Sequence, residues 1–125
     1  MSQHPYSAQI GPFCDTVSAA RTLGISEQAV TWLADSDSIL AVHTSDGHTL
    51  YPGFQFDGHH VEAGVVEVLA IFRGKVSDGW AIADWLTTPA VSLDGLTPIE
   101  WIQADRNRKT MLDDALDTAA RWSAP

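Results

Sequence analysis

Apolar positions along the chain fall into short periodic stretches broken by glycine, proline and acidic residues. In "TVSAARTLGISEQAVTWLA", residues 16–34, Val17, Ala20 and Leu23 recur at helical spacing, and Val30 and Leu33 mark one face of a second helix. Asp15 or Thr16 caps the first helix, Gly24 stops it in the left-handed conformation, and Ser26 caps the second. A small Ala20, Gly24 four residues later and Val30 six beyond it is helix-turn-helix spacing. The alanine lets the helices approach, the glycine tolerates the positive φ of the turn, and Val30 and Leu33 seal the pair. "ILAVHTSDGHTLYP" then predicts a hairpin: a strand at Ile39–Val42, a turn at Ser45-Asp46-Gly47 and a strand at Thr49–Tyr51.

Gln55 to His60 reads as a polar connection. From Val61 the helical period returns through Val65, Val68, Leu69 and Phe72, ending at Gly74. Ser77 is expected to cap the next helix, with Asp78 in its first turn and an Ile82, Trp85 and Leu86 stripe; Pro89 stops it. Leu93 and Leu96 flank a turn at Asp94-Gly95. Thr97-Pro98 is an N-cap followed by proline at the first helical position of a short helix that turns Ile99 and Ile102 inward. A last helix, Asn107 to Trp122, packs through Met111, Leu112, Ala115, Leu116 and Ala119. The chain is therefore expected to be mostly α, with a small β-hairpin wing. An N-terminal extension (1–15) leads into a winged helix-turn-helix-like unit (16–60) and a small, about four-helix unit (61–125) that share one core.

Composition narrows the function. With 45% hydrophobic and 18% charged residues over 125 positions, the chain is of ordinary globular character. No apolar run approaches a membrane span. Met1 to Pro12 has no basic start followed by an apolar stretch, and the single Cys14 makes an internal disulfide impossible, so a cytoplasmic setting is expected. Seven Lys and Arg face sixteen Asp and Glu, a net charge of -9, which repels phosphate backbones. Arg106, Arg108 and Lys109 form the tight basic cluster. The second helix has no Lys or Arg, so Gln28 and Thr31 are its candidates for base edges, with His43 and His48 on the wing. DNA binding is expected to be weak, or to need a dimer.

No phosphate loop, Cys-x-x-Cys pair or His-Glu-x-x-His helix is present. Cys14 reads as packing, not as a nucleophile. His59-His60 with Asp57 and Glu62 reads as a solvated connector, because adjacent histidines point different ways. No catalytic group, cofactor or metal is expected. Five tryptophans exceed what a small core needs: Trp85 and Trp101 read as core, and Trp32 and Trp122 as interface anchors.

Two resemblances add to this. Residues from about Val17 to Phe56 resemble the small winged helix-turn-helix of excisionase-like and transcriptional-regulator proteins. Trp85, Leu86, Pro89, Leu93, Gly95, Pro98 and Ile102, in their spacing, resemble the toxin-binding domain of the Xre/MbcA/ParS-type antitoxins, over about Val61 to Trp122. The second resemblance implies a bacterial antitoxin that is not an enzyme. It would bind and sterically block a RES-type, NAD-consuming toxin and autoregulate its own transcription. Contact would run through the last helix, with Arg108, Asp113, Asp114, Asp117, Arg121 and Trp122 as candidates. A DNA-binding regulator without a toxin is the alternative, and an orphan dimerisation scaffold a third. The chain is expected to form a homodimer.

Overall fold

The computed structural model describes residues 10–76 and 78–123. Strand β1 (Phe13–Cys14) leads into helix α1 (Thr16–Leu23), whose start is fixed by Asp15: its carboxylate accepts the Ser18 amide at 2.8 Å. Gly24, at φ +67°, ends the helix and donates to Ala20 and Arg21 carbonyls. Ser26 then caps α2 (Glu27–Asp35) by accepting from the Ala29 amide at 3.0 Å. Both caps and the turn fall where the sequence puts them. Val17 does not: it is 46% exposed, and the helix turns Ala19 and Ala20 inward instead. Two adjacent small side chains let α1 close on Val30 and Tyr51, which the bulkier phase through Val17 would prevent.

Strands β2 (Val42–His43) and β3 (Thr49–Pro52) form the expected hairpin, with Thr44 and Asp46 bonded across its turn. β1 pairs on the other side of β3, giving a three-stranded antiparallel sheet of order β1-β3-β2. The predicted strand at Ile39–Leu40 is absent. Those residues are buried, but Leu40 pairs its backbone with a side chain: its N–H donates to Gln55 Oε1 and its carbonyl accepts from Gln55 Nε2, both at 2.8 Å. Gln55, expected as the start of a polar connection, is thus a buried structural side chain. It is fully buried at the end of a 3-10 turn (Gly53–Gln55), and Nε2 also donates to the Pro52 carbonyl at 3.0 Å. A second hairpin, β4 (Phe56–Asp57) with β5 (His60–Val61), carries the chain onward.

Four helices follow: α3 (Ala63–Phe72), α4 (Gly79–Leu86), α5 (Pro98–Gln103) and α6 (Arg108–Ser123). Ser77, the predicted cap of α4, lies outside the described residues. Asp78 itself is the N-cap, accepting the Trp80 amide at 3.0 Å, and so stands one position before the first turn predicted for it. Ahead of α5, Asp94 and Gly95 both adopt positive φ, so the turn closes with Ala90 bonded to Leu96 and Gly95. Thr97 and Glu100 then form a reciprocal capping box at 3.1 and 2.8 Å. Leu86, Leu93 and Pro98 of this stretch are buried, whereas Pro89 is exposed. On α6, Met111, Ala115, Thr118 and Ala119 face inward; Leu116, expected among them, is 54% exposed. The observed stripe follows i, i+4, i+8, which leaves position 116 one residue past the seam.

Two apolar clusters result. The larger joins α3 to α6 and takes in Ile10, Leu40 and Val42 from the first half. The smaller holds Ala19, Ala20, Val30, Ile39 and Tyr51, and Val61 packs against both. Gln55→Leu is expected to destabilise the chain by about 2–5 kcal/mol, because a buried amide donor and two acceptors lose their partners. Urea denaturation measures this. An unchanged midpoint would mean that Leu40 is satisfied by other groups.

Candidate functional site

The exposed side of α2 is set by the burial of Val30 opposite it. Glu27, Gln28, Thr31, Trp32 and Asp35 all face out, and Trp32 is 63% exposed although it is the largest of them. Thr31 donates its hydroxyl proton to the Glu27 carbonyl at 3.2 Å. The Gln28 amide has no partner among the described residues.

Beside this helix, His43 at the hairpin base shares Nδ1 with the Thr49 hydroxyl at 3.1 Å, and its carbonyl accepts from Trp80 Nε1 at 2.9 Å. His48 stands 3.8 Å from Asp46 at the exposed tip. A groove of about 470 Å³ runs between the end of α2 and the hairpin base; Asp35, Asp37, His43 and Lys75 lie along it. Lys75 comes from the turn after α3, and nothing in the local sequence ties it to α2. Arg73, from the same turn, reaches the Ser36 carbonyl at 3.1 Å and Asp37 at 3.6 Å.

The basic cluster of the sequence is differently placed. Arg106 pairs with Asp94 at 2.9 Å and lies 4.4 Å over the Trp101 ring; Arg108 pairs with Glu67 at 2.6 Å, and Lys109 with Asp113 at 2.8 Å. Arg106 thus ties to the turn before α5, Arg108 ties α6 to α3 and Lys109 pairs within α6; none of the three lines the groove beside α2. Among the described residues five of the seven cations hold ion pairs; Arg21, at the end of α1, and Lys75 do not.

On α6, Asp117 pairs with Arg121 at 2.6 Å, one turn apart, as Asp113 does with Lys109. Asp114 is half-buried. Trp122 is 41% exposed and stacks on Phe72 with centroids 5.1 Å apart, while Trp85 meets the same ring edge-on at 5.7 Å. It therefore anchors the end of the helix. Trp80, by contrast, is buried.

His59 and His60 diverge: His59 Nδ1 lies 2.8 Å from the Thr22 carbonyl, whereas His60 lines a second hollow of about 510 Å³ with Asp57, Glu62, Asp105 and Arg108. Burial, with Asp57 and Asp105 nearby, pushes the Glu62 carboxyl up against the opposing pull of Arg108. No three of His, Cys, Asp and Glu converge at metal-binding distances among the described residues. The Cys14 thiol is pushed up by burial and by Asp15, and reaches the Tyr51 carbonyl at 3.6 Å. No described helix is long and apolar enough to cross a membrane.

No family model matches the chain, and no curated protein matches it. A solved structure does: the NMR structure of Rv2175c superposes with a TM-score of 0.72 over 94% of this chain and 97% of that one, at 22% identity. The fold is thus shared from the first sheet to the last helix.

Glu62 yields a pH prediction. Its folded-state pKa lies above the unfolded value, so the folded chain holds this proton more tightly. The resulting penalty is absent below the unfolded pKa, grows as pH rises to the folded one and is full above it. Glu62→Gln is therefore expected to raise the melting temperature at neutral pH and to match the parent in acid. Parallel melts across the carboxylate range check this; a uniform offset at every pH would refute it.

Proposed function

We propose that the chain is a regulatory DNA-binding protein of winged helix-turn-helix type. In this reading α2 is the helix that enters the major groove, and the β2–β3 hairpin is the wing. The observation that carries it is the arrangement of Asp15 to Pro52. Two capped helices meet at a left-handed glycine, and a β1-β3-β2 sheet closes behind them. The outer side of α2 has no role in either core. Such a protein needs no chemistry of its own; it acts in the cytoplasm by occupying an operator.

The charge sets the strength. Arg73 and Lys75 lie by the end of α2 and Arg21 stands in the last turn of α1, against a net of -9 for the chain. One copy can neutralise few phosphates, so a homodimer on two half-sites supplies the affinity. Fluorescence anisotropy over a salt series should give a log–log slope no steeper than about -3 per copy. Arg21→Gln and Lys75→Gln should each flatten it by about one, and Arg108→Gln should not. A slope that depends on Arg108 but not on Arg21 or Lys75 would move the nucleic-acid surface to the α5–α6 turn.

A second reading, neutralisation of a RES-type protein toxin, draws on α6. This helix leaves Leu116 exposed on its outer side and Trp122 partly exposed at its end. Because its inner side belongs to the core, it would block the toxin as a fixed surface and not as an inserted tail. Trp122→Ala is then expected to lower stability by about 1 kcal/mol through the lost stack on Phe72. Leu116→Asp should abolish rescue of growth from a neighbouring toxin while the melting temperature stays put. Rescue by Leu116→Asp as good as the parent's would remove α6 from the toxin interface.

A further inference from the structure

We infer that α2 selects A·T over G·C base pairs; this rests on the DNA-binding reading above. The chemistry of its exposed side favours this choice. Guanine presents two acceptors, N7 and O6, to the major groove, and the side chains that match both are Arg and Lys. α2 has neither. Near the start of its outer face it offers Gln28, an amide that can donate to adenine N7 and accept from adenine N6 at once, with no competing partner among the described residues.

One turn further along the same stripe stands Trp32, 63% exposed and apolar. Thr31 beside it has engaged its hydroxyl proton with the Glu27 carbonyl, so a base edge meets its methyl group and an acceptor lone pair. The feature of a base pair that rewards exposed apolar surface in the major groove is the thymine C5-methyl. Gln28 and Trp32 are four residues apart, about one helical turn, and so reach successive base pairs. Glu27 and Asp35 bracket the stripe and repel phosphates of every sequence alike. Both are competitors as well, since a carboxylate can accept from cytosine N4, and Glu27 is the one next to Gln28.

The test is anisotropy with the intact protein at low salt. It uses two short duplexes that share their flanks and differ in an all-A·T or all-G·C centre, and a third in which deoxyuridine replaces thymidine in the A·T centre. The expected result is about tenfold tighter binding to the A·T duplex, reduced to about twofold or less by Gln28→Ala. Deoxyuridine should weaken the parent about threefold and leave Trp32→Ala unaffected, as loss of one methyl contact predicts. Both side chains are exposed, so neither variant threatens the fold. Equal affinity for the two centres overturns the inference, as does an A·T preference that survives both Gln28→Ala and Trp32→Ala. A G·C preference removed by Glu27→Gln overturns it in favour of cytosine reading. Binding to none of the duplexes overturns the DNA-binding reading itself.

Discussion

The side-chain amide of Gln55 holds both backbone groups of Leu40, and the remaining architecture is hung on that pairing. Ile39 enters the smaller cluster and Leu40 the larger, so the chain here runs along the boundary between two apolar bodies. No strand can reach this boundary, yet a buried N–H and C=O left without partners are costly. A primary amide has one donor edge and one acceptor edge in one plane, which is what a neighbouring strand would have offered. With Leu40 fixed, Val42 falls into the larger cluster and His43 turns out at the hairpin base. The groove beside α2 takes its floor from the same residues.

The hairpin is held from the other side by α4. Trp80 donates to the His43 carbonyl and meets Phe13 of β1 edge-on at 5.6 Å. One side chain therefore touches both outer strands of the sheet. The aromatic excess of this small chain is largely accounted for in that way. Trp80 joins the sheet to the helices, Trp101 carries Arg106, and Trp85 and Trp122 enclose Phe72. Trp32 alone stands on an outward face without a ring partner among the described residues, so it adds little to packing.

What was legible in the sequence follows from how local its cause is. Asp15, Gly24, Ser26 and Thr97 act within four residues of themselves, and each was found in its place. Helical phase was less secure. Val17 and Leu116 fit an apolar period, but Ala19 and Thr118 were chosen by the shape of the neighbouring helix, which no local pattern contains. Strand β1 is two residues long and gives no period at all. Gln55 looked like a linker because its partner lies fifteen residues away. The basic cluster looked like a patch for the same reason: Asp94 and Glu67, which neutralise Arg106 and Arg108, are twelve and forty-one residues distant. Nothing local marks Lys75, which folding alone brings to the groove that His43 also lines.

Gly79 opens α4 directly against the hairpin, where a Cβ would overlap the Ala41 carbonyl oxygen. Helix and strand meet there backbone to backbone, with no side chain between them to act as a cushion. Rotation of α4 towards the sheet is stopped at once by hard contact. Rotation away would open a void beside buried Val42. The joint is therefore stiff in both senses, and the hairpin is a fixed jaw. On the DNA-binding reading proposed above, a duplex seated between it and α2 would have to supply whatever bending or groove widening the fit requires, and its deformability would enter recognition alongside its base edges.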